Sequence, residues 1–174
     1  MGADSSLRQA AARLSDGLNW FIERVVAAIM LLMVFDVWLG VLDRYGFHWQ
    51  LPWPEELARY LMIWAALLAI SCGIARREHI GLTILLDRLP SALRAPILMV
   101  MDLVSLLIFA YIAWYGIDFA QAGAKRQAMI FGMTLALPFA AVPVSAAIAC
   151  LQQVLVAIRD MGKYSATGST EEVK

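Results

Sequence analysis

The chain has 174 residues, of which 61% are hydrophobic and only 16% charged, and its formal net charge is zero. A soluble domain of this length is nearer half apolar and a quarter charged, so an ordinary water-soluble enzyme fold is excluded. No basic excess offers a nucleic-acid surface, and no nucleic-acid partner is expected.

The apolar residues gather in four long runs, at about 22–43, 57–76, 95–118 and 133–157. Each approaches the ~20 residues that cross a hydrocarbon core of roughly 30 Å. The expectation is an all-α integral membrane protein with four transmembrane helices. Residues 1–19 form a cytoplasmic N-terminal segment, 20–160 the membrane domain, and 161–174 a polar tail expected to be disordered. Basic residues precede the first run, but its apolar stretch is too long for a secretory signal and no small-residue cleavage pattern follows, so it is expected to stay as an anchor.

The first helix is expected to begin near "DGLNWFIER", with Asp16 as a cap and Trp20 at the interface. Asp36 falls well inside the run, roughly 12 Å below Arg44 at 1.5 Å per residue, and has to face protein, water or a cation. The outer loop, "GFHWQLPWPE", carries Phe47, Trp49 and Trp53 for an aromatic belt. Pro54 suits the first turn of the second helix, and Glu55 and Glu56 suit its partly positive end. Arg59 can pair with Glu55 or Glu56 within the helix, snorkel, or reach across to Asp36. Arg44, Glu55, Glu56 and Arg59 are expected to form one boundary cluster.

Arg76 and Arg77 mark the far boundary of the second run. Between it and the third, Ile80 to Leu89 is too short to span but apolar enough for a short interfacial helix, and Ser91 is a candidate cap for the third helix. Asp102 lies about two turns into that third run. In the fourth, Pro138 and Pro143 allow a kinked or re-entrant entry. Cys72 and Cys150 read as small buried hydrophobes. Ala65, Ala66, Ala69, Ala140, Ala141, Ala146 and Ala147 permit close helix contact, some of it with a partner.

Lys and Arg distribute ten to four. Arg8, Arg13, Arg24, Arg76, Arg77, Arg88, Arg94, Arg159, Lys163 and Lys174 oppose Arg44, Arg59, Lys125 and Arg126. The positive-inside rule then puts both termini in the cytoplasm. No phosphate-binding loop, HExxH, CxxC or GxSxG motif occurs, and His48 and His79 lie at opposite boundaries, where they cannot ligate a haem within the bundle. No cofactor, metal or catalytic residue is expected, and the chain does not read as an enzyme. Asp36 and Asp102 read as fasteners between helices rather than as a coupling site.

"DRYGFHWQLPWPEELARYLMIW" followed by "ARREHIG" resembles the small membrane subunit of tripartite ATP-independent periplasmic (TRAP) transporters, the DctQ-like family. Arg44, Tyr45, Phe47, Trp53, Glu55, Glu56, Arg59, Arg77, His79 and Ile80 stand where that family's pattern has them, as do Pro138 and Pro143. "HIGLT" and "GMTLALP" depart from it, lacking an acidic residue after His-Ile and a Ser-Pro pair. The resemblance implies a scaffold subunit in a bacterial inner membrane, working with a large Na⁺-dependent permease and a periplasmic binding protein to import an organic acid. The alternative, an autonomous four-helix exporter using an intramembrane carboxylate, has no "WPEELAR" opening.

Overall fold

The computed structural model describes residues 2–76, 91–128, 132 and 134–167. Four helices make up nearly all of it: α1 (Gly2–Leu42), α2 (Trp53–Arg76), α3 (Ser91–Ala124) and α4 (Ala136–Thr167). No strand occurs among the described residues beyond one isolated bridge between Gln127 and Thr134. Four stretches are long and apolar enough to cross a membrane: Ser6–Phe47, Trp53–Arg76, Pro96–Ala124 and Ala136–Asp160. The chain is a multi-pass membrane protein. The expected interfacial helix over Ile80–Leu89, together with Arg77 and His79, lies outside the described residues, as do residues 168–174.

Two helices run further than their apolar runs. α1 starts at Gly2 rather than at Asp16. The segment "SSLRQAAARL" is rich in good helix formers, so nothing halts the helix before the membrane. Its 41 residues extend about 60 Å, twice a hydrocarbon core. α4 likewise continues past residue 161 to Thr167. α2 opens at Trp53 with Pro54 in its first turn, where the missing N–H costs nothing, and with Glu55 and Glu56 beside it.

Among the helices α4 is the hub, packing on α1, α2 and α3. α1 also pairs with α2, whereas α3 leans almost wholly on α4. A small core of Ile74 from α2 and Ala149 and Val156 from α4, with Phe109 of α3 against it, ties three helices together. The bundle thus has a terminal end, where Ser15 of α1 meets Gln152 of α4, and a loop end near residues 43–54 and 125–135.

Glycine and proline set the close approaches at the loop end. α4 holds Pro138 and Pro143 without a re-entrant break. Pro138 sits in the first turn, and Pro143 packs against Gly116 of α3, where an added Cβ would lie 3.0 Å from the Pro143 Cβ. Two turns on, a Cβ at Gly123 would lie 2.6 Å from the Phe139 ring and 2.9 Å from the Leu135 carbonyl oxygen. Phe139 also stacks on Phe119, ring centroids 4.5 Å apart. At Gly40 of α1 an added Cβ would lie 3.5 Å from the Pro54 Cβ of α2, an ordinary van der Waals contact.

Gly123 is the tightest of the glycine approaches between α3 and α4, so added volume there should disturb the seating of α3. Gly123→Ala is expected to lose about 1–3 kcal/mol by overpacking. A thermal unfolding midpoint for the detergent-solubilised protein that matches wild type would refute that dependence.

Candidate functional site

Among the described residues, no group of three or more His, Cys, Asp or Glu side chains is placed to hold a metal ion. The polar side chains instead build two layers, one at each end of the bundle.

The terminal layer radiates from α4. Gln152 is fully buried and donates through Nε2 to the Ser15 hydroxyl at 2.7 Å, and Ser15 is itself fully buried in α1. The adjacent Gln153 donates to Asp102 of α3 at 2.9 Å. Two turns further, Arg159 reaches the Ala75 carbonyl of α2 at 3.4 Å while pairing with Asp160 at 3.2 Å. One short stretch of helix therefore touches all three neighbours by hydrogen bonds. Arg76 of α2 pairs with Glu23 of α1, whose carboxylate also accepts from Asn19 at 2.9 Å. The Arg24 Cζ sits over the Trp20 ring, 3.4 Å from its centroid, and the guanidinium donates to the Trp20 carbonyl.

The loop layer is organised by Asp43. α1 ends in a single wide turn, Asp43–Phe47, and His48 and Gln50 then take left-handed conformations at φ 55°. Such backbone costs of order 1–3 kcal/mol per non-glycine residue unless the surroundings impose it. Asp43 imposes it. Its buried carboxylate accepts the Trp49 N–H at 2.7 Å and the Leu51 N–H at 2.8 Å, and its carbonyl accepts the His48 N–H at 2.7 Å. Phe47 and Trp49 stack above it, with centroids 4.6 Å apart. Below the loop opens a cleft of about 780 Å³ lined by Gly40, Asp43, Arg44, His48, Gln50 and Glu55, among others.

The expected boundary cluster does not form as one network. Arg59 donates to Glu55 at 3.3 Å, with both side chains largely exposed. Glu56 accepts instead from the Tyr60 hydroxyl. Arg44 lines the same cleft as Glu55 but makes no ion pair among the described residues. The reason is spacing: each glutamate finds a donor one helical turn away on its own helix, with no need to order a side chain across the gap. Trp53 is half-buried at the head of α2.

The two intramembrane carboxylates also part company. Asp102 joins α3 to α4 through Gln153. Asp36 is buried against the Ala58 backbone of α2, yet neither carboxylate oxygen makes a well-formed hydrogen bond. It does not clamp Arg59, which Glu55 occupies.

Of the alanines, Ala65, Ala141 and Ala146 are buried within the bundle, where they serve close contact between this chain's own helices. Ala66, Ala69 and Ala147 remain exposed, and Ala140 half-buried. Ser15, Asp43, Gln152 and Gln153 were not singled out by sequence reasoning. For the glutamines a signal existed: two adjacent amides in an otherwise apolar span, 100° apart on the helix, which commits them to different neighbours.

With this geometry in place, comparison with known proteins is decisive. Residues 30–162, about three quarters of the chain, match the family described as "Tripartite ATP-independent periplasmic transporters, DctQ component". The chain belongs to the DctQ family. It is 32% identical over 90 residues to a Haemophilus influenzae protein named as a TRAP transporter small permease protein, covering 52% of this chain and 56% of that one. It is 25% identical over 114 residues to the sialic acid TRAP transporter small permease protein SiaQ of Vibrio cholerae, covering 63% of this chain and 61% of that relative. Against the isethionate TRAP transporter permease protein DctMQ of Oleidesulfovibrio alaskensis it is 27% identical over 140 residues, 74% of this chain but 22% of a much longer one. The chain thus spans less than two thirds of each relative's length. The family's description is that of a component of tripartite transporters.

Asp43→Ala would leave the Trp49 and Leu51 N–H groups without their charged acceptor, each bond being worth ~1.5–3 kcal/mol. Limited proteolysis is expected to cut the 45–52 loop at least tenfold faster in that variant. His48→Gly, which suits a φ of 55°, should cut no faster than wild type. Equal cleavage of the wild type and Asp43→Ala would remove Asp43 from its organising role.

Proposed function

We propose that this chain is the small scaffold subunit of a Na⁺-dependent TRAP transporter that imports an organic acid. It packs against a large permease, and its outer loop helps dock a periplasmic binding protein. The single observation carrying this is the family match across residues 30–162, which includes α2, α3 and the whole Ala136–Asp160 span of α4. The polar layers support it, since they hold helices to one another and to a loop rather than converging on a solute site. The relatives named for sialic acid and isethionate support a small organic anion as substrate. The DctMQ relative, in which the matched segment is 22% of the chain, supports a large membrane partner.

The orientation follows from the charge count, with both termini cytoplasmic and the Asp43-organised loop periplasmic. In a background lacking Cys72 and Cys150, an impermeant thiol reagent on intact cells should label Gln50→Cys and spare Ser91→Cys. The reverse pattern would invert the orientation.

One observation favours the rival exporter reading: Asp36, a buried carboxylate without a well-formed hydrogen bond. Reconstitution separates the two. Proteoliposomes holding this chain alone should show no Na⁺-driven uptake of any organic acid, and uptake should require the large permease, this chain and the binding protein together. Robust transport by this chain alone would overturn the scaffold reading.

A further inference from the structure

Three contacts at the terminal end fix the course of α1. Arg76 of α2 pairs with Glu23, the preceding Ala75 carbonyl accepts from Arg159 of α4, and Gln152 of α4 donates to Ser15. From Glu23 back to Ser15, α1 covers about 12 Å toward the terminal end, and from Arg159 back to Gln152, α4 covers about 10 Å away from it. Were the two helices upright antiparallel neighbours, Ser15 and Gln152 would lie roughly 22 Å apart along the bundle axis. They are hydrogen-bonded at 2.7 Å. Side-chain reach cannot absorb that gap, so the first part of α1 runs across α4 rather than alongside it. The crossing point is within the Ala136–Asp160 span, with Gln152 about 12 Å short of its Asp160 end.

The uncovered face of this crossing segment is amphipathic. Ala11, Ser15 and Ile22 are buried on one side of the helix. About 80° away, Leu7, Leu14 and Phe21 recur at seven-residue steps and stand 63%, 62% and 57% exposed. The same stripe continues through the exposed Ala28 and Phe35 of the apolar span, so it joins the surface that faces lipid. Arg13 and Arg24 flank the stripe roughly 60–100° to one side, and Arg8 stands about 100° to the other side of Leu7. The exposed Asp16 falls roughly 160° from Leu14, on the far side. A large apolar face edged by arginines is the pattern of helices that lie in the headgroup layer with that face sunk about 5–10 Å toward the acyl chains.

We infer that the segment from Leu7 to Phe21 lies in the plane of the bilayer surface at the terminal end and binds anionic phospholipid, with Arg8 and Arg13 on the headgroup phosphates. Two observations commit the occupant. The stripe is continuous with the lipid-facing side of the same helix, and the exposed charges that edge it are basic while the acidic one is turned away. Guanidinium groups take phosphate by paired, charge-assisted hydrogen bonds, and a negatively charged leaflet attracts basic segments beside a membrane span. A helix standing free in water would instead leave Leu7, Leu14 and Phe21 against solvent.

The test uses the full chain, with Cys72 and Cys150 replaced, in nanodiscs containing phosphatidylglycerol. Spin labels are placed at Leu14→Cys and at Asp16→Cys. The ratio of accessibility to oxygen over accessibility to a neutral, water-soluble nickel chelate should be at least threefold higher at position 14. Equal ratios overturn the in-plane placement. Loss of both reagents from position 14 when the large permease is added gives the stripe to protein and overturns it equally. In detergent, phosphatidylglycerol should raise the thermal unfolding midpoint more than phosphatidylcholine does, and glycerol phosphate without acyl chains should not raise it. Arg8→Gln with Arg13→Gln should lose at least half of the difference between the two lipids, while Arg8→Lys with Arg13→Lys keeps it. An equal response to both lipids, or a difference that survives in the glutamine pair, overturns the assignment to anionic phospholipid.

Discussion

Inside a bilayer there is no water to satisfy a polar group and little hydrophobic gain from pressing one apolar helix on another. A four-helix chain in that setting needs a few polar contacts to define which helix goes where. Here they radiate from one segment of α4. Gln152 finds Ser15 on α1, Gln153 finds Asp102 on α3, and Arg159 finds the Ala75 carbonyl on α2. Because Gln152 and Gln153 are neighbours in sequence, they point to different sides, and a single turn of helix fixes two partners at once. Intramembrane hydrogen bonds of this sort are worth about 0.6 kcal/mol on average, so their value lies in specifying an arrangement that packing alone leaves nearly degenerate.

The other end of the bundle is held by different means. Gly116 and Gly123 let a proline and a phenylalanine of the neighbouring helix come close, and van der Waals contact does the rest. Only the loop itself depends on a charge, that of Asp43, which binds two N–H groups beyond a turn that the chain would not otherwise adopt. Asp36, although more deeply placed in its span, makes no comparable contact. Depth in the membrane is therefore a poor guide to which carboxylate carries structure, and the count of N–H donors within reach is a better one.

Much of this was legible from the residues. The four apolar runs gave the spans because hydropathy over some twenty residues is a strong signal, and "WPEELAR" with its flanks was specific enough to point to the DctQ family. What stayed hidden depended on rotation and on neighbours. Asp43 sits one residue before Arg44 in a stretch where the arginine drew attention, and nothing local announces that its carboxylate will turn back to cap residues 49 and 51. Arg44, Glu55, Glu56 and Arg59 looked like one cluster because they are close in sequence and opposite in sign. The pairs within α2 are shorter to make, so the cluster divides. Ala140 and Ala141 are indistinguishable as letters, yet the second is completely buried and the first lines an open groove. Only the position of α3 decides between them.

The contrast between the two ends makes the molecule sensitive to two different kinds of change. At the terminal end the decisive property is chemical: an isosteric swap that removes an amide or hydroxyl erases an instruction about pairing without altering shape. At the loop end of α3 and α4 the decisive property is volume: polarity can drift, but a single methyl group at residue 123 has nowhere to go. Homologous chains are thus free to diverge along separate lines at the two ends, exchanging one hydrogen-bonding pair for another near the termini while keeping the small side chains near the loops. A sequence identity of 25–32% across relatives is compatible with one arrangement of helices on those terms.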